Sequence, residues 1–223
     1  MFPSSQKKRS SGPATVFLAA LLGVSIAVVL PAGSTAEEST ESNKRIRLAL
    51  DDLVAKSRSA TWFQRTWERK GDEEERTESD AYWAGQDRIR LDIHEGRGAG
   101  STAILRGNKV TGFKRGWLSF AKMSFDVDAE RVLSLRGHSM AKAGFFDDCS
   151  YVLEHWDEIE SKTDSAGVVL RYRNAAGNRT DLWLDLDNFV PMRMEVRVNE
   201  TVVARTAYER VVLNPLLDDD LFE

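Results

Sequence analysis

Residues 181–198 read DLWLDLDNFVPMRMEVRV, with apolar and polar positions alternating. Leu182, Leu184 and Leu186 share one side; Trp183, Asp185 and Asp187 share the other. Past Asn188, Met192, Met194, Val196 and Val198 stand opposite Arg193, Glu195 and Arg197. A period of two is the signature of a strand with one face buried. The same period returns where Ile89, Leu91 and Ile93 alternate with Arg88, Arg90, Asp92 and His94. ATWFQRTWERK, from Ala60, is rich in aromatics and Thr, and a charged tip, GDEEER, turns it round. STAILRGNKVTGF predicts a hairpin about Gly107-Asn108. VVLRYRN, RTDLWLDLD, PMRMEVRV and VVARTAYERVVL predict four more strands, whereas the apolar stretch 116–137 lacks clean alternation.

Two segments follow the helical period. From Lys44 to about Ser57, Ile46, Leu50, Leu53 and Val54 form one stripe that Ser42 or Asn43 can cap. From Ser139 to Ile159, Phe145, Cys149, Val152, Trp156 and Ile159 form a second, with Gly144 weakening its first half. The prediction is an α+β, mostly β domain: a curved antiparallel sheet forming an incompletely closed β-barrel, covered by a small α-helical lid. It spans 44–223 as a single unit, with polar residues 37–43 frayed ahead of it. Large sheets twist and curl, and two helical stripes are narrow for a concave face of this size. Either the sheet fills with its own side chains, or it leaves an apolar cavity.

The N-terminus changes the picture of where this domain works. Lys7, Lys8 and Arg9 precede an apolar run from Ala14 to Leu30, then Pro31 and the small residues Ser34, Thr35 and Ala36. These are the parts of a secretory signal peptide, residues 1–36, cleaved after Ala36. The alternative is an inner-membrane anchor formed by residues 14–30. Cleavage predicts a periplasmic or exported protein with 28 basic against 35 acidic residues, a charge of −7. No Lys/Arg cluster interleaved with aromatics speaks for nucleic acid. The single Cys149 leaves no internal disulfide. His94, His138 and His155 are dispersed without metal-ligand spacing, and no catalytic motif is present, so neither metal, cofactor nor enzyme activity is expected. Cys149 reads as an inert buried thiol, and the pair Asp147-Asp148 as solvated charge or helix charge.

The final third, DLWLDLDNFVPMRMEVRVNETVVARTAYERVVLNPLLDDDLF, resembles the end of the LolA-like family of periplasmic lipoprotein carriers. The likeness rests on its alternating Leu/Asp strand, the Pro opening the next strand, the turn Asn199-Glu200 and the N-P…L…D…LF close. Phe63-Gln64 and LRGNKVTGF extend it upstream, so that it covers roughly Lys44 to Phe222. The resemblance implies a half-barrel under a helical lid, with a cavity that holds acyl chains. The implied cavity lining is Ile89, Leu91, Ile93, Leu182, Leu184, Met192, Met194 and Val196. The implied lid residues are Phe145, Val152, Trp156, Ile46 and Leu50. Carriers of this family latch the lid with an Arg just before a Pro. WAGQDRIRLDI has no Pro, leaving Arg88 and Arg90 as candidates. The implied partners of this monomer are lipid or lipoprotein acyl chains, with inner- and outer-membrane envelope proteins beyond them. The alternative is an envelope sensor or scaffold of the same fold whose barrel is filled by its own side chains.

Overall fold

The computed structural model describes residues 34–116 and 120–223, so the apolar run 14–30 lies outside the described residues. Helix α1 (Ser34–Lys56) leads into strands β1 (Ala60–Lys70), β2 (Glu73–Trp83), β3 (Arg88–Glu95), β4 (Ser101–Arg106), β5 (Lys109–Lys114) and β6 (Met123–Asp126). Helix α2 (Phe146–Glu154) precedes β7 (Glu160–Asp164), β8 (Gly167–Arg173), β9 (Arg179–Leu184), β10 (Pro191–Val198) and β11 (Thr201–Leu213). The strands make one curved antiparallel sheet in the order β6-β5-β4-β3-β2-β1-β11-β10-β9-β8-β7, which does not close.

Two up-and-down meanders therefore lie side by side, joined where β1 pairs with β11. Local turn chemistry builds each meander. Lys70 faces Glu73 across Gly71-Asp72, so most of the charged tip is strand rather than turn. Arg106 faces Lys109 across Gly107-Asn108, as the hairpin pattern predicts. Asn199 and Glu200 both take positive φ, 48° and 62°, between Val198 and Thr201. Two left-handed residues in a two-residue loop match the twist of the strands they connect.

The order has a topological consequence. β6 and β7 occupy opposite edges, so the chain between them must traverse the sheet. It crosses the concave face as the 3-10 turns 130–132 and 140–142, then α2, then the 3-10 turn 156–158. The expected single helix from Ser139 to Ile159 is thus broken. The Ser139 hydroxyl caps the 140–142 turn by accepting the Ala141 N–H at 3.2 Å, and the α-helix begins only after Gly144. A Cβ on Gly144 would stand 3.2 Å from the Trp62 ring, so this glycine lets the crossover lie close on β1. Helix α1 starts at Ser34, and residues 37–43 are helical instead of frayed.

Two apolar clusters fill the concave side. The larger joins Ile46, Leu50 and Leu53 of α1, Phe145, Phe146, Cys149 and Val152 of the crossover, and Val168, Leu170, Leu182, Leu184 and Tyr208 of the sheet. The smaller gathers Ile89, Leu105 and Val110 beneath Met140. Glu68, on the concave side of β1, fixes the crossover before α2. Its carboxylate accepts from the Ser134 hydroxyl at 3.0 Å, the Arg136 N–H at 3.0 Å and His138 Nδ1 at 3.1 Å.

The C-terminal segment passes to the convex side. Asn214 Oδ1 accepts the Arg58 N–H at 2.7 Å, and the Ser59 hydroxyl donates to the Pro215 carbonyl at 2.6 Å. Phe222 is buried, with the Arg88 guanidinium 4.9 Å from its ring centre.

Candidate functional site

The candidate site is the concave face of β8–β11 and β1–β2 with the helices that cover it. Register brings the residues together: Leu170 faces Leu182, Leu182 faces Met194, and Met194 faces Thr206. Leu182, Leu184, Ile46, Leu50, Phe145 and Val152 are all 0% exposed. An aromatic plug sits at the centre. Phe145 lies 5.4 Å from Trp62 and 5.3 Å from Tyr208, while Phe146 stacks on Trp83 at 4.1 Å. A gap of about 10 Å³ beside Trp83, Ile89 and Phe146 has room for about one water.

The sequence-derived positions divide. Leu182, Leu184, Met194, Leu91, Ile46, Leu50, Phe145, Val152 and Trp156 meet in or against the larger cluster. Ile89 belongs to the smaller one. Val196 is buried further along β10, opposite Ala204. Ile93 lies outside both clusters, partly buried opposite Ser79 and near the Gly98 turn. Met192 does not share the place of Met194, because the pairing of β9 with β10 shifts between Pro191 and Arg193 and interrupts the alternation. A strand pattern read without its bulges overruns in this way.

Arg88 and Arg90 stand on the convex face, opposite Ile89 and Leu91. Arg88 pairs with Asp219, and Arg90 donates to the Leu221 carbonyl at 3.0 Å and to Asp92 at 3.1 Å. Both hold the C-terminal 3-10 turn 219–222, not α1 or α2.

Beyond the Glu68 contacts, a polar tie joins α2 itself to the sheet. The Tyr172 hydroxyl donates to Asp148 Oδ1 at 2.8 Å, joining β8 to α2. Asp148 is therefore not solvated charge. Burial pushes its carboxyl up to about 6, assisted by Asp147 and opposed by the Tyr172 hydrogen bond and by His138 and Lys142. Asp147, half-exposed, accepts from Gln86 at 3.2 Å. Burial raises the thiol of neighbouring Cys149 well above its ordinary range, which leaves it an inert core group. Trp62, Phe146, Tyr172, Tyr208 and Asp148 are the site residues that the sequence reading did not single out. A signal for Asp148 was present: 145, 148, 149 and 152 stand at i, i+3, i+4 and i+7, one helix face.

The opposite face of the same strands is ionic. Glu195 and Asp181, adjacent across β9 and β10, are 2% and 3% exposed. Glu195 accepts from Arg193, from Arg197 at 2.8 Å and from Arg205 at 2.7 Å, and Asp181 accepts from Arg171 at 2.8 Å. Burial would raise the Glu195 carboxyl, but the hydrogen bonds and charges of Arg193 and Arg205 outweigh it and hold the group below its ordinary value.

No family model and no curated protein matches the chain. Solved structures do. An uncharacterized conserved protein from Thermus thermophilus is 12% identical, with 82% of this chain and 93% of that one covered at a TM-score of 0.48. A LolA superfamily protein from Nitrosomonas europaea is also 12% identical, with 81% and 97% covered at 0.41. The MucA/MucB complex of Pseudomonas aeruginosa is 11% identical, with 80% of this chain and 60% of that one covered at 0.37. Among the described residues no helix is long and apolar enough to cross a membrane.

Proposed function

We propose that this protein binds acyl chains of lipids or lipoproteins in the cell envelope, acting as a carrier or chaperone whose site opens when α2 lifts from the sheet. The observation that carries this reading is the chemistry beneath α2. A permanent core element does not need a carboxylate facing the sheet, with one tyrosine hydroxyl as its direct partner. Such a contact weakens attachment of a nine-residue helix. The crossover is tethered at both sheet edges, so α2 can move without releasing the chain. Lifting it uncovers Leu170, Leu182, Leu184 and Met194, an apolar floor on which each buried methylene is worth about 0.8 kcal/mol. Gain on that scale offsets the exposure of Phe145, Cys149 and Val152 when the chain takes their place.

A second reading has its own support. The plug of Trp62, Phe145, Phe146, Trp83 and Tyr208 already fills the face, as a sensor or scaffold of this fold requires. Mass spectrometry of the exported protein under native conditions, and again in organic solvent, separates the two. A lipid-sized adduct released on denaturation is the expected result. A bare mass that stays bare after incubation with envelope lipid extract favours the filled scaffold. The same spectrum reads the N-terminus against the proposed cleavage after Ala36.

A further inference from the structure

At one end of the concave face, the pairing of β7 with β8 stops at Glu160 and Arg171, so Tyr172 and Arg173 run on without a β7 partner. Between this uncovered edge and the end of α2 lies a cleft of about 440 Å³, a volume within the range of small-ligand sites. One wall is flat and aromatic: His155 stacks on Tyr151 at 4.1 Å between ring centres, with planes 20° apart. Tyr172 lines the same cleft and donates to Asp148 under α2, so one residue borders the cleft and also ties α2 to the sheet.

Its charges are mixed and not all satisfied. Arg171 is bound to Asp181 and Glu160, and Arg179 to Asp181 and Glu200. Arg173 and Glu158 also line the cleft, and both are exposed. Arg173 donates to the Gly177 carbonyl at 3.1 Å, but neither it nor Glu158 has an ion-pair partner among the described residues. A guanidinium and a carboxylate in a single cleft, both without an ion-pair partner among the described residues, complement a ligand that carries both signs.

We propose that the cleft receives the headgroup of a zwitterionic phospholipid, a phosphate diester bearing a primary ammonium group. Arg173 takes the phosphate and Glu158 the ammonium, and the acyl chain runs past Tyr172 beneath α2. Arginine suits the first role because its planar fork matches phosphate oxygens. The inference rests on the acyl-chain reading and specifies the class of lipid.

The test compares four probes on the purified, delipidated protein by isothermal titration calorimetry. They are lauroyl lysophosphatidylethanolamine, lauroyl lysophosphatidylglycerol, monolauroylglycerol and chain-free glycerophosphoethanolamine. The ethanolamine lysolipid should bind at least ten-fold tighter than monolauroylglycerol, which has the same chain and no phosphate. Arg173→Gln should erase that advantage, and Glu158→Gln should make the two lysophospholipids equal. Both residues are exposed, so both variants should fold. Equal binding of the ethanolamine lysolipid and monolauroylglycerol would overturn the headgroup site while leaving the acyl-chain reading intact. Binding of chain-free glycerophosphoethanolamine as tight as that of the lysolipid would overturn the lipid assignment. No binding of any probe overturns both readings.

Discussion

Strands β8–β11 present two faces built on opposite principles. Toward the helices, Leu170, Leu182, Leu184 and Met194 exclude water without a polar partner. Away from them, Asp181 and Glu195 are as deeply buried, but within a lattice of arginines. The apolar face gains from any contact that fills it, so one hydrocarbon can replace another. The ionic face is directional, and each carboxylate needs its particular guanidinium groups. The same four strands can thus hold their shape through one face while the packing on the other changes.

The largest test removes apolar mass. Leu182→Ala should cost about 2–5 kcal/mol in urea unfolding, the range for emptying a core position. On the ionic face, Glu195→Ala should cost about 2 kcal/mol, below the value for fully buried pairs because the arginines reach solvent. If the ionic loss proved the larger, the lattice and not the apolar packing would be the main support of these strands.

Acidity should separate the faces by sign. Asp148 is raised in the folded state, so its contribution is fully present below the ordinary aspartate range and is lost as pH rises through about 6. Glu195 is lowered, so its contribution is present above the ordinary glutamate range and is lost as pH falls through its folded value. Hydrogen exchange on α2 should therefore slow as pH drops from 7 to 5, after correction for the intrinsic pH dependence. Exchange on β9 and β10 should quicken only in stronger acid. Parallel behaviour of the two regions would remove Asp148 as the weak point.

Asp148→Asn keeps an acceptor for Tyr172 and discards the charge. It should add about 1 kcal/mol of stability at pH 7, remove the pH response of α2 and slow uptake of the proposed lipid. The smallest effect belongs to the exposed pair of Arg88 with Asp219. Arg88→Ala should cost under about 1 kcal/mol and loosen only the C-terminal segment, as limited proteolysis would read.

Much of this fold was legible in the chain, and for clear reasons. Alternation at 88–94 and 181–184 identified strands, though it overran β9 to the exposed Leu186, and Gly107-Asn108 identified a turn, because each signal is local. Met192 was misplaced because a bulge leaves no mark in the hydrophobic pattern. The helix expected from Ser139 was broken because Gly144 answers to Trp62, a residue far away in sequence. Arg88 and Arg90 were candidates for a latch on the lid, but their side of the sheet is decided by Ile89 and Leu91. Asp148 was read from its charge, and its position on the buried helix face decided otherwise.

The middle of the sheet is joined last in time. β1 has one neighbour, β2, that the chain can supply at once, and the other, β11, is synthesised only after every other strand: Arg65 and Glu209, paired across that boundary, are 144 positions apart. The first meander can hairpin locally, yet its central strand keeps an open edge while the rest of the polypeptide is made. Contacts of such long range slow folding, and an open edge invites pairing with other chains. During that interval β1 offers an edge that the chain cannot yet cover with its own β11.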